Sequence, residues 1–155
     1  MNDSRRSFLR IVLTASATLA AGFGNLLKPV AAFVGNDRTA FAANTETDAL
    51  AAFFPDRQIE SSNAIEIGVH DVVENGAYVP VKVTAALPDV ASITLLVEKN
   101  PNPLIASFNF SPECSGFIAT RIKVGEPSDI VAVVESRGKL YSARKFVEVI
   151  AGGCG

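Results

Sequence analysis

From Ile65 to Ile150 apolar and polar residues alternate in short runs broken by turn residues, the two-residue period of half-buried β-strands. The run "AIEIGVHDVV" (64–73) precedes Asn75-Gly76, a dipeptide favoured at hairpin turns. In "AYVPVKVTA" (77–85), Val79, Val81 and Val83 share one face, with Tyr78, Pro80, Lys82 and Thr84 on the other. Pro80 lacks an N–H to donate, which marks this strand as an edge or a bulge. "SITLLVEK" (92–99) puts Ile93, Leu95 and Val97 together, and Asn100-Pro101-Asn102-Pro103 turns the chain. "LIASFNF" (104–110) and "GFIATRIKV" (116–124) alternate in the same way, whereas "DIVAVVES" (129–136) is apolar on both faces, as a central strand requires. Arg137-Gly138 is a tight turn into the last strand, "KLYSARKFVEVI" (139–150).

About seven short strands with turn signals every 8 to 12 residues describe an all-β, immunoglobulin-like antiparallel β-sandwich. The likeness stops short of an antibody domain, because the chain has no Trp and no Cys…Trp…Cys spacing. Residues 43–60 read as a linker and one short helix, with Thr47-Asp48 capping its start, an apolar run from Ala49 to Phe54, and Pro55 stopping it.

The first 42 residues differ in texture. "MNDSRRSFLR" is basic, and "IVLTASATLAAGFG" (11–24) is apolar, uncharged and rich in small residues, the layout of an export signal. The apolar run falls short of the roughly 18 to 20 residues that span a bilayer. Arg5-Arg6 before Phe8-Leu9 resembles the twin-arginine address of bacterial export. Ala40-Phe41-Ala42 is a small-residue cleavage pattern, with Val30-Ala31-Ala32 a second candidate. The expected organisation is a cleaved signal (1–42), a sandwich (43–150) and a C-terminal arm (151–155), in the periplasm. Residues 43–155 carry nine basic and fourteen acidic side chains, a net charge of about -5, so nothing draws the domain to nucleic acid or an anionic membrane.

Two cysteines and one histidine are too few for an iron–sulfur cluster, a Cys₄ zinc site or a c-type haem motif, and no cofactor is expected. His70 reads as a partly exposed structural residue, and Glu66, Asp71 and Glu74 as water-facing carboxylates around the first hairpin. No hydrolase or metalloprotease motif and no phosphate-cradling glycine loop is present. Cys114, in "SPECSG", has an acidic neighbour that disfavours its thiolate and reads as incidental. Cys154 lies between Gly152-Gly153 and Gly155, four residues beyond the last strand. A five-residue tail reaches roughly 15 Å when extended, and glycines give it freedom and a thin profile. The alternatives are an inert tail, a stapling disulfide to Cys114 and a two-cysteine redox pair. No cation adjoins the thiol, so it depends on outside activation.

The terminal "VIAGGCG", preceded by "GKLYSARKFVEV", "RIKVGEPSDIVAVVE" and "VEKNPNPLIASFNF", resembles the SoxY family, the sulfur-carrying subunit of the bacterial Sox sulfur-oxidation system. The resemblance implies a non-enzymatic carrier with covalent sulfur intermediates on Cys154 and a glycine arm of Gly152, Gly153 and Gly155. It also implies pairing with a SoxZ-like subunit and visits to three enzymes. These are a haem enzyme that conjugates thiosulfate, a manganese-dependent hydrolase that releases sulfate, and a sulfane dehydrogenase. The family usually ends Gly-Gly-Cys-Gly-Gly, and this chain stops one glycine earlier.

Overall fold

The computed structural model describes residues 37–150, and within them nine strands and two short helices. The helices are α1 (Asp37–Phe41) and α2 (Glu46–Phe53). The strands are β1 (Ile59–Ser61), β2 (Ile65–Gly68), β3 (Val72–Val73), β4 (Val79–Ala85) and β5 (Val90–Val97). They continue with β6 (Leu104–Asn109), β7 (Phe117–Ile122), β8 (Ser128–Ser136) and β9 (Lys139–Val149). None of these helices is long and apolar enough to cross a membrane.

A large sheet runs β1-β9-β8-β5-β6, with β3 also pairing to β9, and a small sheet runs β2-β4-β7. The sheets enclose the main core, where alternation delivers Val79, Val81 and Val83 from β4, Ile93, Leu95 and Val97 from β5, and Ile130, Ala132 and Val134 from β8. This is the expected sandwich. The doubly apolar β8 is indeed interior: Val131 and Val133 point the other way, into a second cluster with Leu96, Leu104, Leu140, Ala40, Ala49 and Phe54. The two helices therefore form a third layer over the outer face of the large sheet.

Several expectations are corrected. The helix start lies two residues earlier than Thr47: Thr45 is the N-cap, its Oγ1 accepting from the Asp48 amide at 3.1 Å. The helix ends at Phe53, before Pro55, as expected. Part of the linker is strand β1, which pairs parallel with β9 (Ile59↔Leu140), so the sandwich is not purely antiparallel. The run 64–73 is two strands. β2 pairs antiparallel with β4 (Ile65↔Ala85 to Gly68↔Lys82), and then the chain crosses sheets at Val69–Asp71 so that β3 lies parallel to β9. Asn75-Gly76 is consequently no two-residue hairpin turn. Asn75 Oδ1 accepts the Ala77 amide at 3.0 Å, and Gly76 is required by close approach, since a Cβ there would sit 2.2 Å from the Val124 carbonyl oxygen.

β4 is the central strand of its sheet, not an edge. Pro80 is tolerated because it lies beyond the last β2 pair, where β4 has only β7 beside it (Pro80↔Arg121). Arg137-Gly138 is the expected tight turn: both residues have positive φ (50° and 74°), the type I′ geometry that joins Ser136 to Lys139. Helix α1 lies on the leader side of the expected boundary after Ala42, and its Ala40 is fully buried; processing after Ala32 would retain it.

Candidate functional site

The expected carrier residues Cys154, Gly152, Gly153 and Gly155, and the export residues Arg5 and Arg6, lie outside the described residues. What the fold does define is the platform from which residues 151–155 leave. Strand β9 pairs with β8 from Lys139 to Val147 (Ser136↔Lys139 to Ser128↔Val147), and its last two residues are taken up on the other side by β3 (Val72↔Glu148, Val73↔Val149). The Glu148 amide donates to the Asp71 carbonyl at 2.8 Å, and the Ile150 amide to the Val73 carbonyl at 3.0 Å. Gly76 donates nothing here but accepts from Val124 N at 2.7 Å, packing the β3–β4 loop against both Val124 and the Val149 side chain. The ladder holds the chain through Ile150. Among the described residues, backbone hydrogen bonding therefore runs to Ile150, immediately before the expected arm.

The surroundings of this root are mixed in character. By alternation, Val72, Phe146 and Ile150 fall on the outer side of the large sheet, and each is about half exposed (47%, 55% and 51%). They lie beyond the helical cover, which ends where Arg144 meets Glu46 of α2 in an ion pair. Asp71 accepts from Lys145 Nζ at 2.6 Å. That hydrogen bond, then the Lys145 charge, holds the Asp71 carboxyl below the usual carboxylate range, with His70 adding a smaller push in the same direction.

The remaining candidates are dispersed. His70 is exposed at the corner where the chain crosses sheets, Glu66 points outward from β2, and Glu74 follows β3. Among the described residues no group of three His, Cys, Asp or Glu side chains is arranged to hold a metal ion. Cys114 is an exposed free thiol whose Sγ lies 3.3 Å from Ser111 Oγ. It sits in the β6–β7 loop, at the end of β7 where Phe117 opposes Thr84 and Gly116 accepts the Ala85 amide. The arm root is at the other end of β7, beside Val124. The sequence did not single out the β3 clamp, whose two-residue strand is too short to announce itself by period.

The chain is thus a small two-sheet sandwich of the immunoglobulin type, flanked by helices, whose last strand is paired with β8 to Val147 and then with β3 to Val149. A superoxide reductase (neelaredoxin) from Ignicoccus hospitalis shares this fold, with a TM-score of 0.50 over 56% of this chain and 80% of that one at 17% identity. The family model described as sulfur oxidation protein SoxY matches residues 50–154, and the chain belongs to the SoxY family. The solved structure of the sulfur carrier protein SoxY from Chlorobium limicola f thiosulfatophilum is 36% identical, with a TM-score of 0.64 over 71% of this chain and 96% of that one. No curated protein matches the chain.

Proposed function

We propose that this protein is a periplasmic covalent sulfur carrier, exported through its Arg5-Arg6 signal, that holds intermediates of thiosulfate oxidation on Cys154. The observation that carries the reading is the extent of the family match, which runs through Cys154. The fold supports it: β9 is hydrogen-bonded to β8 or β3 through Val149, and the sequence then supplies Gly152, Gly153 and Gly155 around the thiol, residues whose backbone has few steric limits. The domain supplies position and reach, and the partner enzymes supply the chemistry.

The sulfur steps balance on this thiol without a cofactor in the chain. Oxidative conjugation joins the Cys154 thiolate to thiosulfate as Cys–S–S–SO₃⁻ and releases two electrons, which a haem-containing partner accepts. Water then attacks the terminal sulfonate in a manganese-dependent partner hydrolase, releasing sulfate and two protons and leaving a Cys–S–S⁻ persulfide for a sulfane dehydrogenase. A free cysteine is mostly protonated at neutral pH, and no cation adjoins Cys154 in the sequence, so the partners supply its activation. A SoxZ-like subunit completes the carrier, and the exposed Val72, Phe146 and Ile150 around the root suit a protein partner.

The two-cysteine alternative meets a reach problem. Cys114 sits in the β6–β7 loop, at the end of β7 away from Val124 and the arm root, and a disulfide needs Cα atoms within about 7 Å. Intact mass spectrometry of the native protein tests the reading. Reductant-labile sulfur adducts, present in Cys114→Ser and lost in Cys154→Ser, are expected. An unmodified Cys154 after incubation with thiosulfate and the partner enzymes, or an obligate Cys114–Cys154 disulfide, overturns it.

A further inference from the structure

The outer face of the small sheet carries a depression whose origin is visible in the strand register. Gly68 of β2 and Ala119 of β7 flank Lys82 of β4 in one transverse row (Gly68↔Lys82↔Ala119). Two nearly absent side chains leave Lys82 standing over bare backbone, and β2 departs at this point towards the other sheet. The result is an open cleft of about 540 Å³, walled by His70, Pro80 and Arg121. That volume lies within the range of ordinary small-ligand sites.

Its charge is the opposite of the domain's. Of the nine Lys and Arg residues in 43–155, Arg57, Arg137, Arg144 and Lys145 pair with carboxylates. Lys82 and Arg121 have no carboxylate within 4 Å among the described residues, and neither has Lys123, which alternation places on the same outer face as Arg121. The Arg121 guanidinium is steadied instead over the Tyr78 ring, its centre 4.9 Å from the ring centroid. The carboxylates nearest in sequence and register are engaged or displaced: Asp71 is held by Lys145, and Glu66 lies one row further along, opposite Thr84. Unpaired cations cost a protein solubility nothing, so scattered ones would mean little. Three on one face of an acidic domain, with the chain's single His at their margin, are a local field for an anion.

We infer that this cleft is a binding site for a sulfur oxyanion, thiosulfate-like in charge and size, with Lys82 and Arg121 as its principal donors and His70 at its rim. Arg121 offers a planar fork and Lys82 a point charge, a pairing that suits tetrahedral oxyanions. Two sources share this chemistry: free thiosulfate, and the terminal sulfonate of an adduct on Cys154. The second deepens the carrier reading and rests on it. His70 adjoins Asp71, whose carbonyl takes the Glu148 amide at 2.8 Å, so the cleft opens beside the root of the arm. An adduct resting there would have its sulfonate charge covered between enzymes.

The test uses the full chain in a Cys114→Ser background, read by amide NMR shifts at Gly68, Lys82, Ala119 and Arg121. Sodium thiosulfate is titrated against this protein and against its Cys154→Ala version. Separately, Cys154 is converted with tetrathionate to the S-thiosulfonate, releasing one thiosulfate, which is dialysed away. Saturable shifts at these amides with free thiosulfate, equal in the Cys154→Ala version, assign the free anion as ligand. The same amides shifted only in the S-thiosulfonate form assign the tethered one. Either is expected to weaken about tenfold in Lys82→Gln plus Arg121→Gln and to be retained in Lys139→Gln, a remote cation. No saturable shift from either source, or equal response in the double variant, overturns the inference. Because the adduct is made chemically, a failure of enzymatic loading on Cys154 leaves this result intact and is read apart from it.

Discussion

Gly76→Ala is the substitution that most directly probes how the arm is rooted. An added Cβ would lie 2.2 Å from the Val124 carbonyl oxygen and 2.9 Å from Val149 Cγ1, and the nearer atom is backbone that cannot swing aside. The loop must withdraw from β7 and β9, forcing an overpacking cost of about 1–3 kcal/mol and loss of the Val124 N–Gly76 O hydrogen bond, about 1 kcal/mol. At about 4 °C per kcal/mol for a domain of this size, the melting temperature falls by roughly 8–16 °C. Two other glycines calibrate the measurement. Gly138 has φ +74° but nothing within 4 Å of a Cβ, so Gly138→Ala carries only left-handed strain, about 1–2 kcal/mol. Gly68→Ala meets Lys82 Cβ at an ordinary 3.6 Å and is expected near wild type. Thermal unfolding by circular dichroism ranks the three, and hydrogen exchange at the Ile150 amide reports the root itself, where protection is expected to fall most in Gly76→Ala. A Gly76→Ala melting point within about 2 °C of Gly68→Ala, or unchanged Ile150 protection, would refute the close-approach argument.

Asn100 is buried, its Nδ2 donating to Lys123 O at 2.8 Å and its Oδ1 accepting from Gly125 N at 3.0 Å. Asn100→Ala leaves both backbone groups without that partner and is expected to lower stability by about 2–3 kcal/mol in urea unfolding. Asp71 titrates below its ordinary value in the folded state, so its contribution is present above the unfolded pKa and lost as pH falls through the lower folded one. The stability gap between wild type and Asp71→Asn is therefore expected at pH 7 and should close below about pH 4; because the pair is exposed, added salt should narrow it too.

The sandwich was legible because alternation survives wherever one face is buried: Val79-Val81-Val83 and Ile93-Leu95-Val97 point inward as their period requires. The doubly apolar "DIVAVVES" was legible as a central strand, though what covers its second face was not, since α1 and α2 are short and only weakly patterned. Pro80 misled for a physical reason. A proline excludes one ladder bond, and β2 had already left β4 at that row. Asn75-Gly76 misled likewise, because a hairpin signal describes local turn energy, and a longer-range demand, the clamp of β3 on β9, outweighed it.

By itself the sequence determined the β-sandwich class, the tight turn at Arg137-Gly138, and the isolation of Cys154 among glycines after the last strand, all of them local properties of period and composition. Only the tertiary structure decided that β3 locks the end of β9, that Cys114 and the arm root occupy opposite ends of β7, and that Gly68, Lys82 and Ala119 share one row beside Arg121. Those facts depend on register between segments tens of residues apart. Register is set by burial of whole faces against each other, a sum over the core that no short stretch of chain contains.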